Sequence, residues 1–350
     1  MCVVLLHLSE HFSAAILLPH AYLAVDFFFL LSGFVIAYAY DDRIARGMSL
    51  TTFMGLRLRR LYPLIAAGAV AGAVYAVALH LVEPDKARST GYLAVALAFG
   101  LLLLPLSLAS GDAPAYPLNG PSWSLLFELL SNFIYAFIGR RLSRVVLTIL
   151  IAASAIGLVA ISCLSLWNEQ PGEPILHWTP LARFGLAGFS RVGFSFFSGV
   201  ALFRLRDHKW ISRVKQLPPV AAGTILVGIF AAPERWSNAY DLVMTLIAFP
   251  LIVLAASKAE PMGWTAVASI WSGWLSYPLY ALHVPVALLT VGTLKYFHLY
   301  EELPKPWLGL AITSIVIATV FAFGKLYDEP LRRWLGATIR SPSQAARENG

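Results

Sequence analysis

Read only as hydrophobic and polar positions, the chain is a succession of long apolar runs separated by short polar ones. Apolar stretches fall near 1–18, 22–40, 61–82, 91–110, 122–139, 145–167, 186–204, 217–233, 239–257, 273–294 and 307–326. Each is about as long as the ~20 residues that a membrane-crossing helix needs. No polar stretch between them is long enough to fold by itself, and no repeat with a convincing period is visible. The pattern predicts an all-α, polytopic transmembrane helical bundle. One membrane domain is expected over 1–335, followed by a short polar tail at 336–350.

The basic residues orient that bundle. Lys and Arg gather at 43–60, 140–144, 204–215 and 325–340, and the positive-inside rule places all four clusters in the cytoplasm. Between 60 and 140 lie three apolar candidates where an even number is required. One of 61–82, 91–110 or 122–139 is therefore expected not to cross fully. The expectation is about ten crossings with both termini cytoplasmic, in a multi-pass membrane protein.

Composition narrows the class. Of 350 residues 58% are hydrophobic and 13% charged, about half the charged fraction usual for soluble domains. The net charge of +7 reads as topogenic, because no basic, aromatic-interleaved soluble segment is present to hold a nucleic acid. Cys2 and Cys163 sit in apolar runs and form neither a disulfide framework nor a metal framework. The N-terminus lacks the basic region and the small-residue cleavage site of a signal peptide.

Against that apolar background the charged positions stand out. Asp26 lies inside AYLAVDFFFLLSGF (21–34), where a carboxylate is expensive and marks function by default, unless it is solvated at the interface or caps the helix. His7 and His11 are four apart and share a helix face, with Glu10 beside them. An intramembrane histidine is a candidate general base or, more plainly, a hydrogen-bonded core residue; two ligands at one spacing make a weak metal site. Arg57, Arg59 and Arg60 are read as the end of the first cytoplasmic loop, with Pro63 in the first turn of the next helix. They are topogenic charges that also suit phosphate oxygens bidentately. In GPSWSLLFE (120–128) the hydroxyls beside Trp123 read as helix caps, and Glu128 falls inside an apolar run, where it needs a partner unless solvated at an entrance. His283 lies in SYPLYALHVP (276–285) with Tyr277 and Tyr280 nearby.

Taken together and in this order, the histidine, VDFFFLLSGF, RRLYP, PSWSLLFE, SYPLYALHVP and a terminal EPLRR resemble the membrane acyltransferase-3 family in its stand-alone form. Its members O-acylate sugars in polysaccharides, lipopolysaccharide, nodulation factors and macrolides. The family's first helix carries Arg-x10-His, and eleven residues back from His7 runs past Met1, so an upstream extension of this helix is expected.

The resemblance implies transfer of an acyl group from acyl-coenzyme A, often acetyl-coenzyme A, to a hydroxyl of a carbohydrate or glycolipid acceptor at the lipid bilayer. No bound cofactor or metal is implied. His7 is expected as base. Asp26 or Glu128 orients it or binds sugar hydroxyls, and Arg57, Arg59 and Arg60 hold the donor's phosphates. Ser122, Trp123, Tyr277, Tyr280 and His283 line the substrate path. A transporter or flippase for an acyl group or a lipid-linked sugar fits buried charges in about ten helices equally well, and an inactive truncated paralogue is the third reading.

Overall fold

The computed structural model describes residues 1–12, 18–106, 114–167, 185–233 and 238–337. All regular structure among them is helical. The tail from 338 onward lies outside these residues.

The first apolar run is two short helices, α1 (Cys2–His7) and α2 (Ser9–Phe12), with a break at Leu8. At that break the Ser9 hydroxyl donates back to Leu5 O at 2.8 Å, a local bond that competes with the helical ladder. His7 and His11 therefore do not share one continuous helix face. A 3₁₀ turn at Ala21–Leu23 then leads into α3 (Ala24–Ala45).

Helix α4 runs Leu50–Val82 and begins a full eleven residues before the expected start at 61. The cause is Ser49, whose Oγ accepts from Thr52 N at 3.1 Å and caps the helix N-terminus. Arg57, Arg59 and Arg60 are thus helical residues rather than the end of a loop. Pro63 lies inside the helix rather than in its first turn.

Between 60 and 140 the shortest of the three apolar helices is α5 (Thr90–Leu101). Its 12 residues span about 18 Å at 1.5 Å per residue, short of the ~30 Å hydrocarbon layer. After it the chain lies against the middle of α4. A Cβ on Gly72 would fall 1.9 Å from Leu118 O, and one on Gly68 would fall 2.6 Å from the Asn119 side-chain nitrogen. Helix α6 (Ser122–Ile138) follows from that point on α4. Ser122 begins α6 as expected, but no side chain caps it; the Ser124 hydroxyl donates instead to Pro121 O.

The remaining helices are α7 (Arg144–Trp167), α8 (Gly185–Leu205), the short α9 (Lys209–Ser212) and α10 (Pro219–Phe230). Helices α11 (Ala239–Val243) and α12 (Phe249–Ala256) are joined by a π-turn. Then come α13 (Trp264–Tyr296), the single turn α14 (Leu299–Glu302), α15 (Trp307–Phe323) and, after another π-turn, α16 (Glu329–Ala337). Among the described residues six helical segments are long and apolar enough to cross a membrane, with three shorter apolar helices beside them. The segment at 122–141 that contains α6 is one of the six, and α5 is one of the three shorter helices.

Two packing devices position the site. Helices α3 and α8 cross backbone to backbone, because a Cβ on Gly33 would lie 1.9 Å from Phe196 O and one on Gly199 2.1 Å from Leu30 O. Only residues without Cβ permit that approach. Helix α13 carries Pro278 and Pro285 in its interior. A proline cannot donate to the carbonyl four residues back, so Pro285 frees Ala281 O, and Asn119 Nδ2 donates to it at 2.9 Å.

Candidate active site

Four helices enclose a cleft of about 370 Å³. Each contributes one stripe at helical spacing. Helix α3 gives Val25, Phe28, Phe29, Ser32, Val35 and Ile36, α4 gives Arg57, Arg60 and Leu61, α6 gives Ser124, Leu125 and Glu128, and α13 gives Gly273, Ser276, Tyr277 and Tyr280. The walls are largely apolar, and the polar groups gather at Ser32, Arg57, Arg60 and Glu128.

Glu128 is held from three directions at one oxygen. Its Oε1 accepts from Ser32 Oγ at 2.6 Å, Arg57 Nη2 at 3.0 Å and Asn132 Nδ2 at 3.0 Å. Among the described residues no hydrogen bond falls on Oε2. Arg57 spends Nη2 on this bond, while its Nε is buried with no hydrogen-bond partner. The cluster of three arginines is divided. Arg57 and Arg60, three apart, both line the cleft, whereas the Arg59 guanidinium reaches back to within 3.7 Å of where a Cβ would stand on Gly55.

Asp26 belongs to a different neighbourhood. Both of its oxygens are taken by Arg191 of α8, with Nε to Oδ1 at 3.0 Å and Nη2 to Oδ2 at 2.6 Å. The two side chains are 1% and 2% exposed. Trp123 covers this pair, with the Arg191 guanidinium 5.5 Å from its ring centroid. Trp123 also meets Phe29 and Phe127 edge-on or tilted. Sequence reasoning searched the apolar runs for carboxylates and histidines and passed over Arg191. An arginine inside the run 186–204 was the signal that could have found it.

Beyond the cleft lie the histidines. Tyr280 forms its inner wall, hydrogen-bonded to Ser124 Oγ, and its ring centroid is 6.1 Å from that of His283. The His283 ring in turn lies 5.2 Å from His7. The cleft, Tyr280, His283 and His7 thus form a continuous sequence of groups through the bundle. Tyr277 lines the cleft and donates to Leu61 O, which ties α13 to α4. Ser122 is buried beside Asn119 and away from the cleft. His11 bonds the Tyr300 hydroxyl at 3.0 Å.

The chain's basic ends converge. Arg140 approaches Gly47 in the turn between α3 and α4. Arg204 grips Asp41 with two bonds of 2.7 Å and donates to Leu142 O at 2.6 Å. Arg60 lies in the field of both Arg57 and Arg332. Members of the clusters at 43–60, 140–144, 204–215 and 325–340 therefore meet at one end of the bundle, and the mouth of the cleft with Arg57 and Arg60 is at that end.

A family model described as an acyltransferase domain matches residues 1–325 of the chain. A stretch of 147 residues is 36% identical to Protein 2 in picA locus of Rhizobium radiobacter, covering 40% of this chain and 77% of that protein. No solved structure matches.

Proposed function

The chain belongs to the acyltransferase family whose model spans residues 1–325, and from that premise we propose that it moves an acyl group from acyl-coenzyme A to a hydroxyl of a carbohydrate or glycolipid. It is an acyltransferase and an all-helical integral membrane protein. The observation that carries the finer reading is the cleft. It opens among arginines at the basic end of the bundle and is lined at Tyr280, behind which the rings of His283 and His7 follow in contact. By the positive-inside rule that end is cytoplasmic, where acyl-coenzyme A is found.

In this reading Arg57 and Arg60 take the donor's phosphates, and the unpaired Arg57 Nε is the buried donor that a phosphate oxygen would satisfy. The apolar stripe of α3 accepts the pantetheine arm and directs the thioester inward. Glu128 Oε2 binds a hydroxyl or amide of the substrate. His7 takes the proton from the acceptor hydroxyl as the oxygen attacks the thioester carbon. Acetyl is the expected acyl group, and a lipopolysaccharide or other surface glycan the expected class of acceptor.

The test is mass spectrometry of surface glycans and glycolipids from a deletion strain and its parent. A constant mass increment per sugar, lost on deletion, names the acyl group; identical spectra would sink the reading. In the same strain His7→Ala should abolish the increment at matched membrane abundance, since removing a general base costs about 10²–10⁴ in rate.

A further inference from the structure

His283 differs from an ordinary core histidine in one respect. It is 1% exposed, and its Nδ1 lies 3.0 Å from Leu279 O and 2.9 Å from Tyr280 O. Both neighbours are carbonyl oxygens, so Nδ1 carries a proton and shares it between them. In the neutral ring Nε2 then holds the lone pair. That atom is buried and has no hydrogen-bond partner, whereas buried polar atoms are as a rule satisfied. The ring beside it is His7, with planes inclined at 42°. Besides the neighbouring Tyr280 ring, the ionisable groups whose charge reaches His283 are His7 and the amino group of Met1.

We infer that His283 is a positioning residue, whose Nε2 accepts a hydrogen bond from His7 and so fixes which His7 nitrogen meets the acceptor hydroxyl. The inference rests on the reading of His7 as the base. In the transfer the acceptor O–H bond breaks and its proton goes to the outward nitrogen of His7. The acceptor oxygen bonds to the thioester carbon, the C–S bond breaks, and the coenzyme leaves as a thiolate that takes the proton back from His7. His283 stays neutral throughout. The His7 N–H directed at Nε2 becomes a stronger donor while the imidazolium exists, so the bond is tightest during transfer. Catalytic hydrogen bonds commonly tighten only when substrate is bound.

The residue at 283 is tested in membrane vesicles of the deletion strain, which carry the native acceptor, with acetyl-coenzyme A added as donor. The rate of the glycan mass increment is measured at matched abundance of each variant. In His283→Gln an amide oxygen reaches the position of Nε2, while in His283→Asn it reaches only that of Nδ1. His283→Gln should keep at least about a tenth of the parental rate, and His283→Asn and His283→Leu should fall about 100-fold or more. The half-saturating concentration of acetyl-coenzyme A should stay within about twofold in all three. Equal losses in Gln and Asn, or a Leu variant at the parental rate while His7→Ala is dead, would overturn the role of His283 and leave the base standing. A His7→Ala variant at the parental rate would overturn the base itself.

Discussion

Helix α3 has two sides built on opposite plans. On one it meets α8 with glycines at the crossing and a closed ion pair, Asp26 with Arg191. On the other it faces α4, α6 and α13 across an open cleft whose carboxylate, Glu128, has only one oxygen engaged. Both carboxylates are costly in an apolar bundle, and both are matched by arginine. The difference lies in what remains. Asp26 has both oxygens occupied by Arg191, so the pair acts as a joint. Glu128 and Arg57 each keep a polar atom in reserve beside a cavity, which is what a binding site requires.

That contrast can be broken most sharply at the joint. Asp26→Asn removes the charge that Arg191 grips with two bonds, and breaking a buried pair costs about 3–5 kcal/mol. The expected outcome is a large fall in the yield of monodisperse protein after detergent extraction. Replacing both partners with apolar residues, Asp26→Leu with Arg191→Met, should restore much of that yield, because an apolar pair of similar volume is often as stable as a buried ion pair. If the single variant extracts as well as the parent, the pair is not a joint.

On the cleft side the effect should appear in donor use rather than in yield. Arg60→Ala should raise the half-saturating acyl-coenzyme A concentration by about 10- to 100-fold, the equivalent of about 1.5–3 kcal/mol for a charge-assisted bond. Arg59→Ala should change it by less than about threefold, because Arg59 turns back toward Gly55. Equal effects of the two would mean that the cluster serves only orientation. The smallest effect is expected for His11→Ala. It loses one bond to Tyr300, about 0.5–1.5 kcal/mol of stability, read as a fall of a few degrees in thermal unfolding with transfer retained.

The helical bundle was legible in the sequence because hydropathy alone dictates it. The length of α5 was not, because nothing local marks it as shorter than the run 91–110 that contains it. The start of α4 turned on one hydroxyl, Ser49, set against the more visible Pro63. For the site, the residue types that carry chemistry could be named, but not who meets whom. Asp26 and Arg191 stand 165 positions apart, and Arg57 and Glu128 71 apart. No single sequence records those pairings.

The bond from Asn119 to Ala281 also has a bearing on how the protein is made. The chain around Asn119 is non-helical backbone lying against the middle of α4, and lipid does not tolerate such backbone within the hydrocarbon unless protein covers it. Its partner is 162 residues further along. At about 5–20 residues per second, the ribosome needs roughly 10–30 s to deliver it. During that interval the segment around Asn119 lacks this bond. The cleft likewise lacks the wall that Ser276, Tyr277 and Tyr280 of α13 supply. Its assembly is therefore a late event in biogenesis, set by the arrival of a helix from the far end of the chain.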